Sequence, residues 1–256
     1  MTRLPVLTYH AIDQARSPIT VSPSAFASTM RRLARAGWRT LSEAEALAGR
    51  QAGVWPERSF VIHFDDGFAS VKTHGWPVLQ ELGFTATVFV VSEWVGRTND
   101  WPGQAPWAPR APLMTWDDLG MLGAAGWTLG GHTANHQRLG QLDPHRRHEE
   151  IGRGFEAIQR LGGQTSRVFA YPYGAVDPVS IVALKRRADV SYGTRLGLVT
   201  PLSPSEDLPR IDAYYVGNGL VAPHLDRLPV RTYMAIRQGG RSLRGAFDPR
   251  PIVVEQ

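Results

Sequence analysis

No cysteine occurs among the 256 residues, which excludes disulfide staples, thiolate metal ligands and a cysteine nucleophile. Lysine is nearly absent too. Lys72 and Lys185 are the only two, so arginine supplies 26 of the 28 basic residues. The formal charge of +5 is scattered among acids without a dense basic run, which argues against nucleic acid as a partner, although an anionic substrate would be attracted. No window approaches the ~18 uninterrupted apolar residues of a membrane span. The opening stretch MTRLPVLTYHAID, interrupted by Pro5 and His10, lacks the apolar core of a secretory leader. A cytoplasmic location is therefore expected. Internal repeats and low-complexity tracts are missing as well. The composition, 43% hydrophobic and 20% charged, is that of an ordinary globular chain long enough to bury a large core. We read residues 1–256 as one domain.

Within that frame, strand-like and helix-like patterns alternate. Strands are expected at Pro5–Tyr9, Ser59–Phe64, Thr85–Val91, Trp127–Leu129, Val168–Tyr171 and Val190–Tyr192. Helix starts are expected at Ser22-Pro23, at Thr115 with Asp118, at Asp143-Pro144 and at Asp177-Pro178, with a short helix over Trp76–Leu82. Such alternation favours βα units and a mainly parallel sheet or barrel, whose chemistry gathers at the C-terminal ends of strands. The Pro/Gly-rich stretch from Gly96 to Pro112 suits a substrate-facing loop. Beyond Pro201 the chain is Pro-rich and weakly periodic, and no element is assigned there.

The chemistry-bearing residues fall at those strand ends. HFDDG, residues 63–67, puts Asp65 and Asp66 after an apolar run, and GGHTANH, residues 130–136, puts His132 and His136 four residues apart. One Asp and two His make a metal site with open positions, and the second Asp is then a base beside it. That pairing of motifs points to metal-assisted hydrolysis. His10 and Pro172-Tyr173 also follow expected strands. His63 projects to the opposite face from Ile62 and Phe64 and is read as packing. Trp101, Trp107 and Trp116 are read as core or loop packing, with stacking on sugar rings as the alternative.

Taken together, the motifs resemble those of the polysaccharide deacetylases, the NodB-homology superfamily of carbohydrate esterases. HFDDG is similar to that family's first motif, GHTANH to its second and FAYPYG, residues 169–174, to its third. The resemblance runs from about Leu4 to about Tyr214 and implies a distorted (β/α) barrel of mainly parallel strands. Two departures stand out. Ala170 occupies the place of an arginine that, in many members, pairs with the catalytic Asp, and we assign that pairing instead to Arg210 in LPRID. The histidine that many members carry near the C-terminus is matched best by His10 in VLTYHAI, as in the rearranged motif order of bacterial poly-N-acetylglucosamine deacetylases. His224 in VAPHLD is the rival.

The resemblance implies removal of N-acetyl groups from N-acetylated sugars or polysaccharides of the N-acetylglucosamine type. Asp66, His132 and His136 would hold a divalent metal. Asp65 would act as general base, the Tyr173 backbone N–H would complete an oxyanion site, and His10 would protonate the leaving amine. Nitrogen and carboxylate ligands suit zinc, with nickel, cobalt, manganese or iron as alternatives. Two other functions compete: a cytoplasmic deacetylase or deformylase of a lipid-linked sugar, and a catalytically inactive glycan-binding protein on the same fold. The intact ligand set favours an enzyme.

Overall fold

Buried apolar strands separated by amphipathic helices leave parallel pairing as the natural arrangement. A computed structural model of the chain, which describes residues 2–161, 165–216, 224–225 and 232–239, shows that arrangement closed into a barrel. The elements are, in order, β1 (Val6–Tyr9), a small pair β2 (Ala11–Ile12) and β3 (Thr20–Val21), α1 (Pro23–Arg35), β4 (Arg39–Thr40), α2 (Glu43–Ala52) and β5 (Ser59–Phe64). There follow α3 (Trp76–Glu81), β6 (Thr87–Val90), α4 (Trp116–Ala124), β7 (Thr128–Gly131), α5 (Pro144–Gln159) and β8 (Thr165–Ala170). The last are α6 (Pro178–Leu184), β9 (Val190–Leu196) and β10 (Leu208–Asp212). Seven strands run in the order β1-β10-β9-β8-β7-β6-β5, and β5 pairs back to β1 with Val6 opposite Val61 and Tyr9 opposite Phe64. Every pairing among them is parallel. Short β4 extends β5 at its start.

Alternation along β5 sorts the core into two. Phe60, Ile62 and Phe64 belong to the outer layer with Phe26, Met30 and Leu33 of α1. Val61 belongs to the inner cluster with Val6, Phe89, Val168, Tyr192 and Leu208. Phe89 needs room there. A Cβ on Gly130 would lie 2.6 Å from the Phe89 ring and 2.9 Å from Val168, so that position of β7 admits only glycine.

The expected helix starts are the observed ones. Ser22, Asp143 and Asp177 accept hydrogen bonds from the first-turn N–H groups, and Thr115 with Asp118 forms a reciprocal capping box. Several bounds move. The Trp127 N–H closes α4 by donating to Leu122, so the following strand starts one residue later and runs on to Gly131. The short helix over Trp76–Glu81 is preceded by a π-helical turn over Val71–Gly75. Five elements went unassigned in the sequence: the short strands β2, β3 and β4, helix α2, and β10 within the Pro-rich region beyond Pro201. Pro209 sits inside β10, against the usual reading of proline as a strand breaker.

His63 requires a correction. Reading it as packing captured its ring contacts with Phe89 and Tyr192, whose centroids lie 4.9 and 4.5 Å away. It missed the buried carboxylate of Glu43, 2.6 Å from His63 Nε2.

Candidate functional site

The turn after β5 delivers Asp65 and Asp66, and the turn after β7 delivers His132 and His136. Both turns, and the turn after β8 that carries Tyr173, need backbone that most side chains avoid. Asp66, Thr133, His136 and Tyr173 have φ values of 71°, 65°, 57° and 59°. They make up four of the five non-glycine residues with positive φ among the described residues. Left-handed backbone is unfavourable for such residues and persists where surrounding contacts enforce it, commonly at functional sites.

Those contacts can be named. The Asn135 N–H and side-chain amide donate to the two Glu150 carboxylate oxygens at 2.8 and 2.7 Å, tying the histidine turn to α5. The His132 Nδ1–H donates to the Ala170 carbonyl at 2.7 Å. A carbonyl can only accept, so the proton sits on Nδ1 and the Nε2 lone pair is free. Neither Glu150 nor the Ala170 carbonyl was found from the sequence. Glu150 looks like any helical surface acid, and a main-chain acceptor leaves no mark in residue type.

Asp66 Oδ1 lies 3.3 Å from His132 Nε2 and 3.2 Å from His136 Nε2. It is buried and makes no hydrogen bond. Ligand atoms of all three residues fall within 4.8 Å of one another. A buried carboxylate oxygen without a hydrogen bond, facing an imidazole lone pair, is what a cation would satisfy. The donor set therefore fits a divalent metal.

Asp65 turns toward a different partner. Arg210, from β10, donates from Nη1 and Nη2 to the two Asp65 oxygens, both at 2.8 Å, and from Nε to the Gly193 carbonyl at 2.9 Å. Burial pushes the Asp65 carboxyl up, but the Arg210 guanidinium outweighs it and holds the group down to about 2. Asp65 is thus a carboxylate across the working pH range. His10, at the end of β1, places Nε2 3.9 Å from Asp65 Oδ2.

A cavity of about 490 Å³ opens over this group. Its walls include His10, Asp65, Asp66, His132, His136 and Tyr173, so the structure brings six of the seven candidate site residues to one surface. Arg210, the seventh, lies beneath that surface, behind Asp65. His224 is exposed and does not line the cavity. The tryptophans divide. Trp101 is 1% exposed and packs its ring 4.4 Å from that of His136, whereas Trp107 is 42% exposed and lines the cavity. Trp116 packs against the outer core. The Gly96–Pro112 loop does face the cavity, and Asn99 organises it by bonding Pro109 and Ala111 across its base.

A polysaccharide deacetylase family model matches residues 53–192. Poly-beta-1,6-N-acetyl-D-glucosamine N-deacetylase of Staphylococcus epidermidis is 25% identical over 203 residues, covering 75% of this chain and 67% of that protein. Among solved structures, IcaB from Ammonifex degensii superposes with a TM-score of 0.69 at 28% identity, covering 82% of this chain and 91% of that one. The deacetylase PplD of Streptococcus pyogenes, solved with acetate, superposes with a TM-score of 0.71 at 21% identity, covering 82% and 92%. At that identity the likeness to PplD speaks to fold alone.

Proposed function

From the premise that this chain belongs to the polysaccharide deacetylase family, hydrolases of the N-acetyl amide bonds of sugars, we propose that it is a metal-dependent N-deacetylase of N-acetylglucosamine-type polysaccharide. One observation carries the proposal. The buried Asp66, His132 and His136 group, able to hold a cation, sits beside an ionised Asp65 at the floor of an open cavity. A glycan-binding protein that had lost catalysis would have no use for ligand set and base side by side.

In this reading Asp66, His132 and His136 hold the metal, and their nitrogen and carboxylate donors suit zinc best. When bound, the ion supplies Lewis acidity, lowering the pKa of water toward neutrality and polarising the acyl oxygen. Asp65 takes the proton of the attacking water, and Arg210 keeps its carboxylate ionised and oriented. The main-chain N–H of Tyr173 steadies the charge developing on the acyl oxygen. His10 gives a proton to the departing amine, completing the exchange of an amide for acetate and a free amine. Residues 1–256 act as one domain in this proposal, of which those beyond 239 lie outside the described residues.

Metal analysis of the purified protein, with acetate release from N-acetylglucosamine oligomers, tests the proposal. Stoichiometric metal and metal-dependent acetate release are expected. Acetate release that survives complete metal removal would overturn it.

A further inference from the structure

Arg138 has no part in the chemistry described above, yet it stands at the site. Its guanidinium lies 4.2 Å from the centre of the Tyr173 ring. Among the described residues it makes no ion pair and no side-chain hydrogen bond. The carboxylates of the cavity are committed elsewhere, Asp65 to Arg210 and Asp66 to the histidine pair. Beyond the wall formed by His136 and Tyr173, a second hollow of about 350 Å³ adjoins the cavity. The two share Gly103, His136, Arg138 and Tyr173, and the second adds Gln137 and Gln141. A half-buried cation thus sits over an aromatic face, its guanidinium donors without a side-chain or main-chain acceptor among the described residues, one step from the reacting group.

We propose that this second hollow is a subsite for an oxyanion on the substrate, and that Arg138 is its recognition residue. The inference rests on the deacetylase reading and narrows it to substrate class. Each deacetylation leaves an ammonium group, so a chain of neutral sugars becomes cationic as it is processed and Arg138 would repel it. An acidic substituent next to the N-acetyl sugar pairs with Arg138 instead, through the planar fork that matches carboxylate and phosphate. Its source is either a uronic acid neighbour in a polymer or a phosphate ester carrying the sugar.

Two substrate pairs separate these sources. One is a hexuronate–N-acetylglucosamine disaccharide against its methyl ester, and the other is N-acetylglucosamine 1-phosphate against free N-acetylglucosamine. In at least one pair the anionic member should be preferred by about tenfold or more in kcat/KM, through KM, which is the scale of a charge-assisted hydrogen bond. The preferring pair identifies the source. The ratio should fall as salt is raised, collapse toward one in Arg138→Gln and be partly retained in Arg138→Lys. Ratios near one in the wild type, or a ratio that Arg138→Gln leaves intact, overturn the inference. Calorimetric binding of the same pairs to the same proteins decides the matter independently of turnover. If no acetate is released from any substrate, the deacetylase reading fails. Tighter binding of the anion that is lost in Arg138→Gln would still uphold the subsite, and equal affinities would remove it.

Discussion

Two histidine–carboxylate groups occupy the same barrel and are built to opposite ends. Around Glu43 the polar atoms close on one another: Oε1 accepts from His63 Nε2 at 2.6 Å and Thr87 Oγ1 at 3.2 Å, and Oε2 accepts from the Tyr192 hydroxyl at 2.8 Å. Around Asp66 they converge without closing, since Oδ1 has two Nε2 atoms within 3.3 Å and no hydrogen bond. The Glu43 group lies among inner-core side chains, whereas the Asp66 group floors a cavity. Residue type therefore does not distinguish a structural cluster from a functional one. What distinguishes them is whether the buried carboxylate oxygens are satisfied from within the protein.

The sharpest way to break that contrast is to remove a converging ligand. His132→Ala should abolish both metal content and turnover while the far-ultraviolet spectrum stays that of a folded barrel. Full metal occupancy in that variant would dissolve the distinction between the two groups. Asp65→Asn should keep the metal and lose about 10² to 10⁴ in kcat, the usual scale of general acid–base catalysis. His10→Ala should likewise keep its metal and lose most of its rate, whereas His224→Ala, altering an exposed residue outside the cavity, should match the wild type. A silent His10→Ala paired with an impaired His224→Ala would move the proton donor to the C-terminal region.

Replacement of Glu43 probes the other side. Glu43→Ala leaves three buried donors, on His63, Thr87 and Tyr192, with no acceptor. An unmet buried donor costs about 1–3 kcal/mol, so a stability loss of about 3 kcal/mol or more is expected in urea melts, with metal stoichiometry in the folded protein unchanged. Metal loss that tracks the stability loss would mean that the two groups are one energetic unit.

How far the sequence could be read follows the same division. Asp65, Asp66, His132 and His136 were legible because each pair is local in the chain and follows a strand, where a barrel collects its chemistry. The parallel barrel itself was legible from strand–helix alternation. The Glu43 cluster was not, because its members lie 20, 44 and 149 residues from Glu43 and each alone resembles an ordinary helix or strand residue. Helix α2 was missed for a related reason: it buries only Glu43 and Ala46, too few for a period to register. Arg210 could be placed beside Asp65 only because a family pattern lacked its arginine at Ala170. Nothing in LPRID by itself points 145 residues back to Asp65.

The smallest expected effect concerns pH, and it tests whether the closed cluster is neutral at its histidine. Burial pushes His63 below the ordinary histidine value, and the Glu43 carboxylate does not fully reverse this; Arg210 adds to the depression and Asp65 opposes it. Geometry agrees with a neutral ring. His63 Nδ1 is buried without a partner, so a proton there would be an unmet donor, whereas Nε2–H already serves Glu43. The sign follows from proton counts. Below about pH 6.5, the ordinary histidine value, the unfolded chain takes up a proton at this residue that the folded barrel resists. Unfolding is then favoured as pH falls toward the depressed folded value, and the stability is fully present above that window. The Tyr192 hydroxyl, pushed well above its ordinary range by burial and Glu43, does not titrate there. His63→Gln keeps an amide donor for Glu43 but cannot titrate. Between pH 8 and pH 5.5 its Tm should drop less than that of the wild type, even though its Tm at pH 8 is lower. His136, also depressed by burial, contributes equally to both proteins and cancels in the difference. Parallel Tm curves would show that folding leaves the proton affinity of His63 unchanged, and a wild-type Tm that drops less than that of His63→Gln would show that His63 is protonated in the folded barrel and the Glu43 cluster an ion pair.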